Sequence, residues 1–461
     1  MTIIGDSTRI LPARRTGLAG VWIAAIAIPL LLISPALWNG YPLLQYDTGG
    51  YLARWYEGYL VPSRSTAYGI YLHLGEISHF WVTLGIQALA VTWIVQMTLR
   101  VFGIAAPRQM LAVMFGLCAT TALPVLTSLL LTDIFAGLSV LTLFLLVVHG
   151  DRFSKPENLL LFLFTSFAAS THSATLGVLF GLCCAGWILR PWLGMAIRRL
   201  IHGSLTIVSG ALMLLACNFA LSGEVAWTPG GSGVAFGRML QDGLVKRYLD
   251  DHCATEQLKL CPYRNSLPQT ADGFLWGTSV FNQLGRFKGL GDEMAHIAWR
   301  SLLAYPAAQS EAALKAAATQ LVSVATGEGS NNWLGHTYGI IERYLPQELA
   351  AVRKAHQQRW EFDFTAINRI HVPVALLSMA LLASMVISAA WRRKLDDVAL
   401  LAGTISLALL GNALLCGVLS GPHDRYGARM VWLATFAIVI AGICWHRSRA
   451  AAEHGRDTPR T

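Results

Sequence analysis

The chain has 461 residues, of which 54% are hydrophobic and 13% charged, and carries a formal net charge of +9. That balance is too apolar for a soluble multidomain protein of this length and points to a polytopic membrane protein. The positive charge follows the connecting segments, so it reads as a topology signal and gives no ground for a nucleic-acid partner.

A helix needs about 20 apolar residues to cross the roughly 30 Å hydrocarbon layer. Ten segments meet or approach that length: 18–38, 80–99, 110–126, 133–148, 159–173, 175–189, 201–221, 372–391, 398–419 and 430–445. The expected fold is an all-α polytopic membrane protein, with about ten transmembrane helices and one large, mainly helical extracytoplasmic loop domain. The chain then divides into an N-terminal transmembrane module (1–221), the loop domain (222–371) and a C-terminal transmembrane module with a short tail (372–461). The first segment follows a basic N-terminal region. Its apolar run is longer than a signal-peptide core, so it reads as an uncleaved anchor. The fifth and sixth segments are short and meet at "AASTHSATLG", which leaves a re-entrant pair as the alternative to two crossings.

Arginines and lysines near segment ends stay on the cytoplasmic side. Arg9, Arg14, Arg15, Arg100, Arg108, Arg152, Lys155, Arg190, Arg198, Arg199, Arg392, Arg393, Lys394, Arg447, Arg449, Arg456 and Arg460 fall on one side. The short loops of the other side hold Arg54, Arg64, Arg425 and Arg429. Both termini are therefore expected in the cytoplasm, with 39–79 and 222–371 outside. In a bacterial source this is the inner membrane.

The first outer loop reads "YDTGGYLARWYEGYL". Tyr51, Leu52, Trp55, Tyr56 and Tyr59 recur at helical spacing, which predicts a short helix with one aromatic face lying along the membrane surface. Interfacial anchoring and stacking on a sugar ring both account for those rings. Asp47 sits at the membrane edge, and Arg64 follows in "PSRSTAYGIYL". Asp133, in "LLLTDIF", opens the fourth segment, where an acid serves either as a helix cap or as a second reactive carboxylate. His172 interrupts apolar sequence in "THS" and is read as a packing hydrogen bond or a substrate contact.

The long loop opens on "TPGGSG" and contains helical patterns in "SEAALKAAATQLVSVA" and "LPQELAAVRKAHQQRWEF". No phosphate-binding glycine motif occurs in it. Cys253 and Cys261 are its two cysteines, and a pair confined to an exported loop fits a disulfide. The other six cysteines lie in apolar segments, where a small buried residue is the ordinary reading. In "GPHDRYGARM", Arg425 and Arg429 stand four apart and share a face if that stretch is helical. Guanidiniums clustered at a membrane edge suit a phosphate or pyrophosphate.

Taken together, the acid in the first outer loop, the "PSRSTAYGIYL" segment, the "TD" opening a later segment, the "THS" break and the Arg-Tyr pair of the last loop resemble the GT-C superfamily of membrane glycosyltransferases. The resemblance covers the first 190 or so residues and the last outer loop. It implies that Asp47 and Asp133 activate the acceptor or hold a divalent cation. It also implies that Arg64, Arg425 and Arg429 bind the phosphate of a polyprenyl-phosphate sugar donor. Tyr51, Trp55 and His172 would contact the sugar or lipid phosphate, and the acceptor would be a glycan, lipid or protein of the cell envelope. Two positions depart from the family pattern: no second acid stands beside Asp47, and "RSTAYG" replaces an Arg-Pro-Pro. Alternatives are an O-antigen polymerase or ligase, drawing on Asn332 and His336 in "NNWLGHTYG", and a lipid or glycan transporter. A transporter calls for charge in mid-membrane, and here the polar clusters lie at segment ends.

Overall fold

The computed structural model describes residues 18–454 apart from 59, 61, 62, 229, 230, 333, 360 and 394. Arg9, Arg14, Arg15, Tyr59, Lys394, Arg456 and Arg460 lie outside the described residues. Among the described residues every regular element is helical, and extended pairing is confined to one isolated parallel bridge between Leu43 and Leu129.

Among the described residues seven helices, not ten, are long and apolar enough to cross a membrane: Trp81–Val101, Asp133–Arg152, Ser173–Leu193, Ile197–Ser222, Phe364–Arg392, Asp397–Val418 and Asp424–Glu453. The other three expected spans fall short for local reasons. The first breaks at Ile33 into Leu18–Leu32 and Ser34–Asn39, the second piece starting with a proline in its first turn. The third breaks after Thr120 into Pro107–Thr120 and Leu123–Ser128, again with proline opening the second piece. The fifth, Lys155–Thr171, has 17 residues. Its neighbour Ser173–Leu193 has 21, so the sixth segment is a full-length span and the two are separated only by His172.

The helix ends sort into two groups. At one end Arg100 pairs with Glu157, Arg152 with Asp397 and Arg199 with Asp151, while Arg447 caps the Gly103 carbonyl. At the other end Ser65 bonds the Ser170 carbonyl, Thr66 bonds Asn218, and Asp133 meets Arg425. The second end is the one carrying the candidate residues. Close helix contact there depends on Gly137. A Cβ at this position would lie 2.7 Å from the Trp432 indole, so the absence of a side chain lets the last helix lie directly against the Asp133 helix.

Within 222–371 the two halves pack differently. Phe236, Tyr248, Phe274, Phe281, Leu290 and Met294 form a small core of their own. The disulfide Cys253–Cys261 closes its edge, as expected, and the remaining six cysteines are free. A ring that short contributes on the order of 2–3 kcal/mol. In the second half, Val324, Leu334, Ile340, Leu345 and Phe362 join the main core of the helix bundle. The helix expected in "SEAALKAAATQLVSVA" is Pro306–Val322. The one expected over 345–362 breaks into the short pieces Pro346–Glu348, Leu349–Lys354 and His356–Arg359.

The basic end is expected to face the cytoplasm. Ser154, at that end, and Ser310, in the long loop, are both exposed, which makes them suitable labelling positions. A single cysteine at Ser310 should react with a membrane-impermeant maleimide in intact spheroplasts, and one at Ser154 only after lysis. The reverse pattern would invert the orientation.

Candidate functional site

Two stretches of extended backbone run side by side and deliver the two acids to one place. The Leu43 amide donates to the Ser128 carbonyl (2.9 Å) and the Leu130 amide to the Leu43 carbonyl (3.0 Å). Thr48 Oγ1 then donates to the Leu130 carbonyl (3.0 Å). Asp47 follows the first stretch by four residues, and Asp133 the second by three. The long loop holds this arrangement from the other side. Thr337 Oγ1 bonds the Gln45 carbonyl (3.0 Å) and accepts from the Gly49 amide (3.0 Å). The contact requires Gly49, because a Cβ there would lie 2.6 Å from the Thr337 backbone. At Gly50 the missing side chain leaves room for Arg64 to lie across the helix.

Asp47, Asp133, Arg64, Arg425 and Arg429 converge. Arg425 is the centre: its Nη1 donates to Asp47 Oδ2 at 2.5 Å and its Nε to Asp133 Oδ2 at 2.8 Å. Arg64 Nη2 takes the other oxygen of Asp47. Arg429, one turn along the same helix as Arg425, approaches Asp133 Oδ1 at 3.7 Å. Its Nη2 donates to Asn412 Oδ1 at 2.8 Å, and its Nη1 is buried without a hydrogen-bond partner among the described residues. Asn412 precedes a π-helical turn, Ala413–Gly417, an irregularity frequent at functional sites. Asp133, Arg425 and Arg429 are fully buried, whereas the Arg64 side chain keeps 18% of its surface exposed. Arg64 is therefore the member that meets the outside.

Burial alone would push the Asp47 carboxyl up, but Arg64 and Arg425 outweigh it and hold Asp47 below the usual carboxylate range. Asp47 is thus ionised, with both oxygens engaged by guanidiniums. Asp133 occupies the first turn of its helix but bonds Arg425 instead of capping a backbone amide. The donor set does not fit a divalent cation. A cation would have to sit between the two carboxylates, and the Arg425 guanidinium already bridges them. Among the described residues no group of three or more His, Cys, Asp or Glu side chains comes together with ligand geometry.

Of the remaining expected site residues, Tyr51 and His172 border the network without bonding its charged groups. Tyr51 is on the expected helix, Thr48–Glu57, but this helix turns its Tyr51–Arg54 segment into the protein. The Tyr51 ring is fully buried, edge-on to Tyr68 and beneath Arg64, so it has no free face for a sugar. Trp55 is 41% exposed, with one face stacked on His73 at 4.0 Å. His172 caps the Ser173–Leu193 helix, its Nδ1 accepting from the Ala174 amide at 3.2 Å, and feels the charge of Arg429, Arg425 and Arg64. Asn332 and His336 are exposed on the long loop.

Four partners were not singled out from the sequence. Glu328 pairs with His423 (2.7 Å) and accepts the Arg425 backbone amide (2.8 Å). Asn412 and Cys416 both accept from Arg429. His423 had a signal, since it stands in the same "GPHDRYGARM" stretch as the two arginines. Asn412 had a weaker one, as a lone amide inside an apolar span. No protein-family model, curated protein or solved structure matches this chain.

Removing Arg425 strands two buried carboxylates, which typically costs about 3–5 kcal/mol. Arg425→Met should lose stability of that order in detergent denaturation, and a change under about 0.5 kcal/mol would show that the acids find other partners. Asp47 supplies the pH signature. Its native value lies below its unfolded value, so its contribution is present above about pH 4 and is lost as pH falls through the native value. Wild type and Asp47→Asn should therefore converge in stability on acidification.

Proposed function

We propose that this protein is a membrane glycosyltransferase that moves a sugar from a polyprenyl-phosphate carrier to an acceptor outside the cytoplasm, working at the Asp47–Arg425–Asp133 network. One observation carries this reading. Among the described side chains in mutual contact, three guanidiniums meet two carboxylates, and one guanidinium nitrogen of Arg429 has no hydrogen-bond partner among the described residues. Glu328 and Asp424 do not engage these guanidinium groups: Glu328 bonds His423 and the Arg425 backbone amide, and Asp424 the Ala325 amide. A guanidinium nitrogen held out of water without an acceptor favours an anion beside it. The site lies at the ends of apolar helices, where the phosphate of a membrane-held lipid resides.

The chemistry follows from those charges. Phosphate is the leaving group when a sugar departs from a polyprenyl phosphate, and negative charge builds on it as the glycosidic bond breaks. Arginine donors fixed in advance stabilise that charge more than water would, and their planar forks suit two phosphate oxygens. Arg64, the exposed member, meets the phosphate first. Taking Arg64 from Asp47 frees one carboxylate oxygen for the sugar or acceptor. With Arg425 between the acids, no step is assigned to a divalent cation. A transporter is disfavoured because the charged network sits at one end of the helices.

The test compares lipid-linked and surface glycans from cells lacking the gene and cells carrying variants. Asp47→Asn and Arg64→Ala should be made and inserted at normal levels yet fail to restore the missing sugar, with transfer reduced about 10²-fold or more. Accumulation of lipid-linked oligosaccharide units would indicate a polymerase or ligase instead. Full glycan restoration by Asp47→Asn would refute the assignment of this site.

A further inference from the structure

Next to the arginine network stands a histidine with a free nitrogen. Glu328 Oε1 lies 2.7 Å from His423 Nδ1, while Glu328 Oε2 accepts the Arg425 amide at 2.8 Å. Burial opposes the charge on Glu328, but the bonds from His423 and Arg425 outweigh it and hold the carboxyl below its usual range. An ionised carboxylate only accepts, so Nδ1 carries the proton and the neutral ring keeps its lone pair on Nε2.

The ring is held from three sides. The Gln320 side chain clamps the His423 backbone, Oε1 accepting its N–H at 2.9 Å and Nε2 donating to its carbonyl at 2.9 Å. Tyr426 packs edge-on at 5.4 Å, and Glu328 fixes Nδ1. Among the described residues Nε2 has no hydrogen-bond partner, and the side chain remains 25% exposed. Asp47, by contrast, has both oxygens tied to guanidiniums. His423 is two residues from Arg425, close enough that its protonated form would be felt at Asp47.

Resting on the transferase reading above, we infer that His423 is the general base of the transfer and Glu328 its positioning residue. The acceptor hydroxyl gives its proton to His423 Nε2 as its oxygen bonds to the anomeric carbon of the sugar. The bond from that carbon to the phosphate oxygen breaks, and its electron pair leaves with the polyprenyl phosphate, whose charge Arg64 and Arg425 receive. The proton then passes from Nε2 to water. The groups facing the ring tune it. The Glu328 hydrogen bond raises its proton affinity, burial opposes this, the Glu328 and Asp272 charges add to it and Arg425 subtracts. The net effect is an imidazole somewhat more basic than usual, suited to work near neutral pH.

Two readouts on the full-length protein test this. One is transfer from endogenous donor lipid in isolated membranes; the other is binding of undecaprenyl phosphate to the purified protein in detergent micelles. His423→Gln should bind the probe within about twofold of wild type while transfer falls about 10²- to 10⁴-fold. Glu328→Gln should bind equally and lose less transfer. Its rate should rise with pH at a lower pH than in wild type, because the imidazole has lost the partner that raised it. Transfer by His423→Gln within about tenfold of wild type overturns the role of His423 and leaves the transferase reading standing. Loss of probe binding in that variant overturns it equally, since the residue then serves binding. If wild type neither transfers a sugar nor binds the probe, the transferase reading fails and the base falls with it.

Discussion

Everything at the candidate site depends on keeping Arg425 and its two carboxylates out of water together. Even after relaxation, each buried ion loses several kcal/mol of hydration, which mutual pairing has to offset. Arg425 does this with one planar group that donates to Asp47 and Asp133 at once. Those partners are 378 and 292 positions away in sequence. The site therefore exists only after the start of the chain, the Asp133 helix and the last helix have docked. None of the three can withdraw without leaving an uncompensated charge behind.

A second constraint comes from the irregular backbone at 40–47. Backbone amides and carbonyls buried away from water need partners, and this segment has no helix to supply them. The bridge to Ser128 and Leu130 satisfies part of the demand. The long loop supplies the rest: Gln357 accepts from the Leu44 amide (3.0 Å) and donates to the Leu44 carbonyl (2.6 Å), and the Tyr46 amide bonds the Gly329 carbonyl (3.1 Å). Residues 328–357 thus work as part of the site's frame, which explains why that half of the loop shares the main core.

The helical class, the disulfide and the charged residues of the site were legible because each leaves a local mark: an apolar run, an isolated cysteine pair, a charge at the edge of an apolar segment. The i, i+4 placement of Arg425 and Arg429 gave their shared face once the stretch proved helical. The number of long spans was not legible, because hydropathy does not register where Pro35 and Pro124 start a new helix. Tyr51 misled for a related reason. An aromatic stripe looks the same whether it faces headgroups or a protein interior, and only the close approach of Gly49 to Thr337 and of Gly69 to the Tyr51 carbonyl decides for the interior. Glu328 and Asn412 act through partners 97 and 17 positions away, a relation that no local pattern records.

The network as it stands is closed; on the proposed transferase reading it has to open, and its construction shows where that is least costly. Arg425 and Arg429 are enclosed on all sides, and moving either would expose several charges to an apolar surrounding. Arg64 differs because its backbone and its head are secured separately. Its carbonyl is gripped by the Arg54 guanidinium, with Nε at 2.8 Å, and the adjoining Ser63 amide by Thr228 at 2.8 Å. The head group, at the edge, is held mainly by Asp47. Exchanging that carboxylate for a phosphate oxygen swaps one anion for another on the same cation. The backbone need not move, and no buried charge is left alone at any stage. An arriving phosphate would at the same moment relieve Asp47 of one of its two arginines, so one carboxylate oxygen would be free to hold the sugar or acceptor only when a donor is in place.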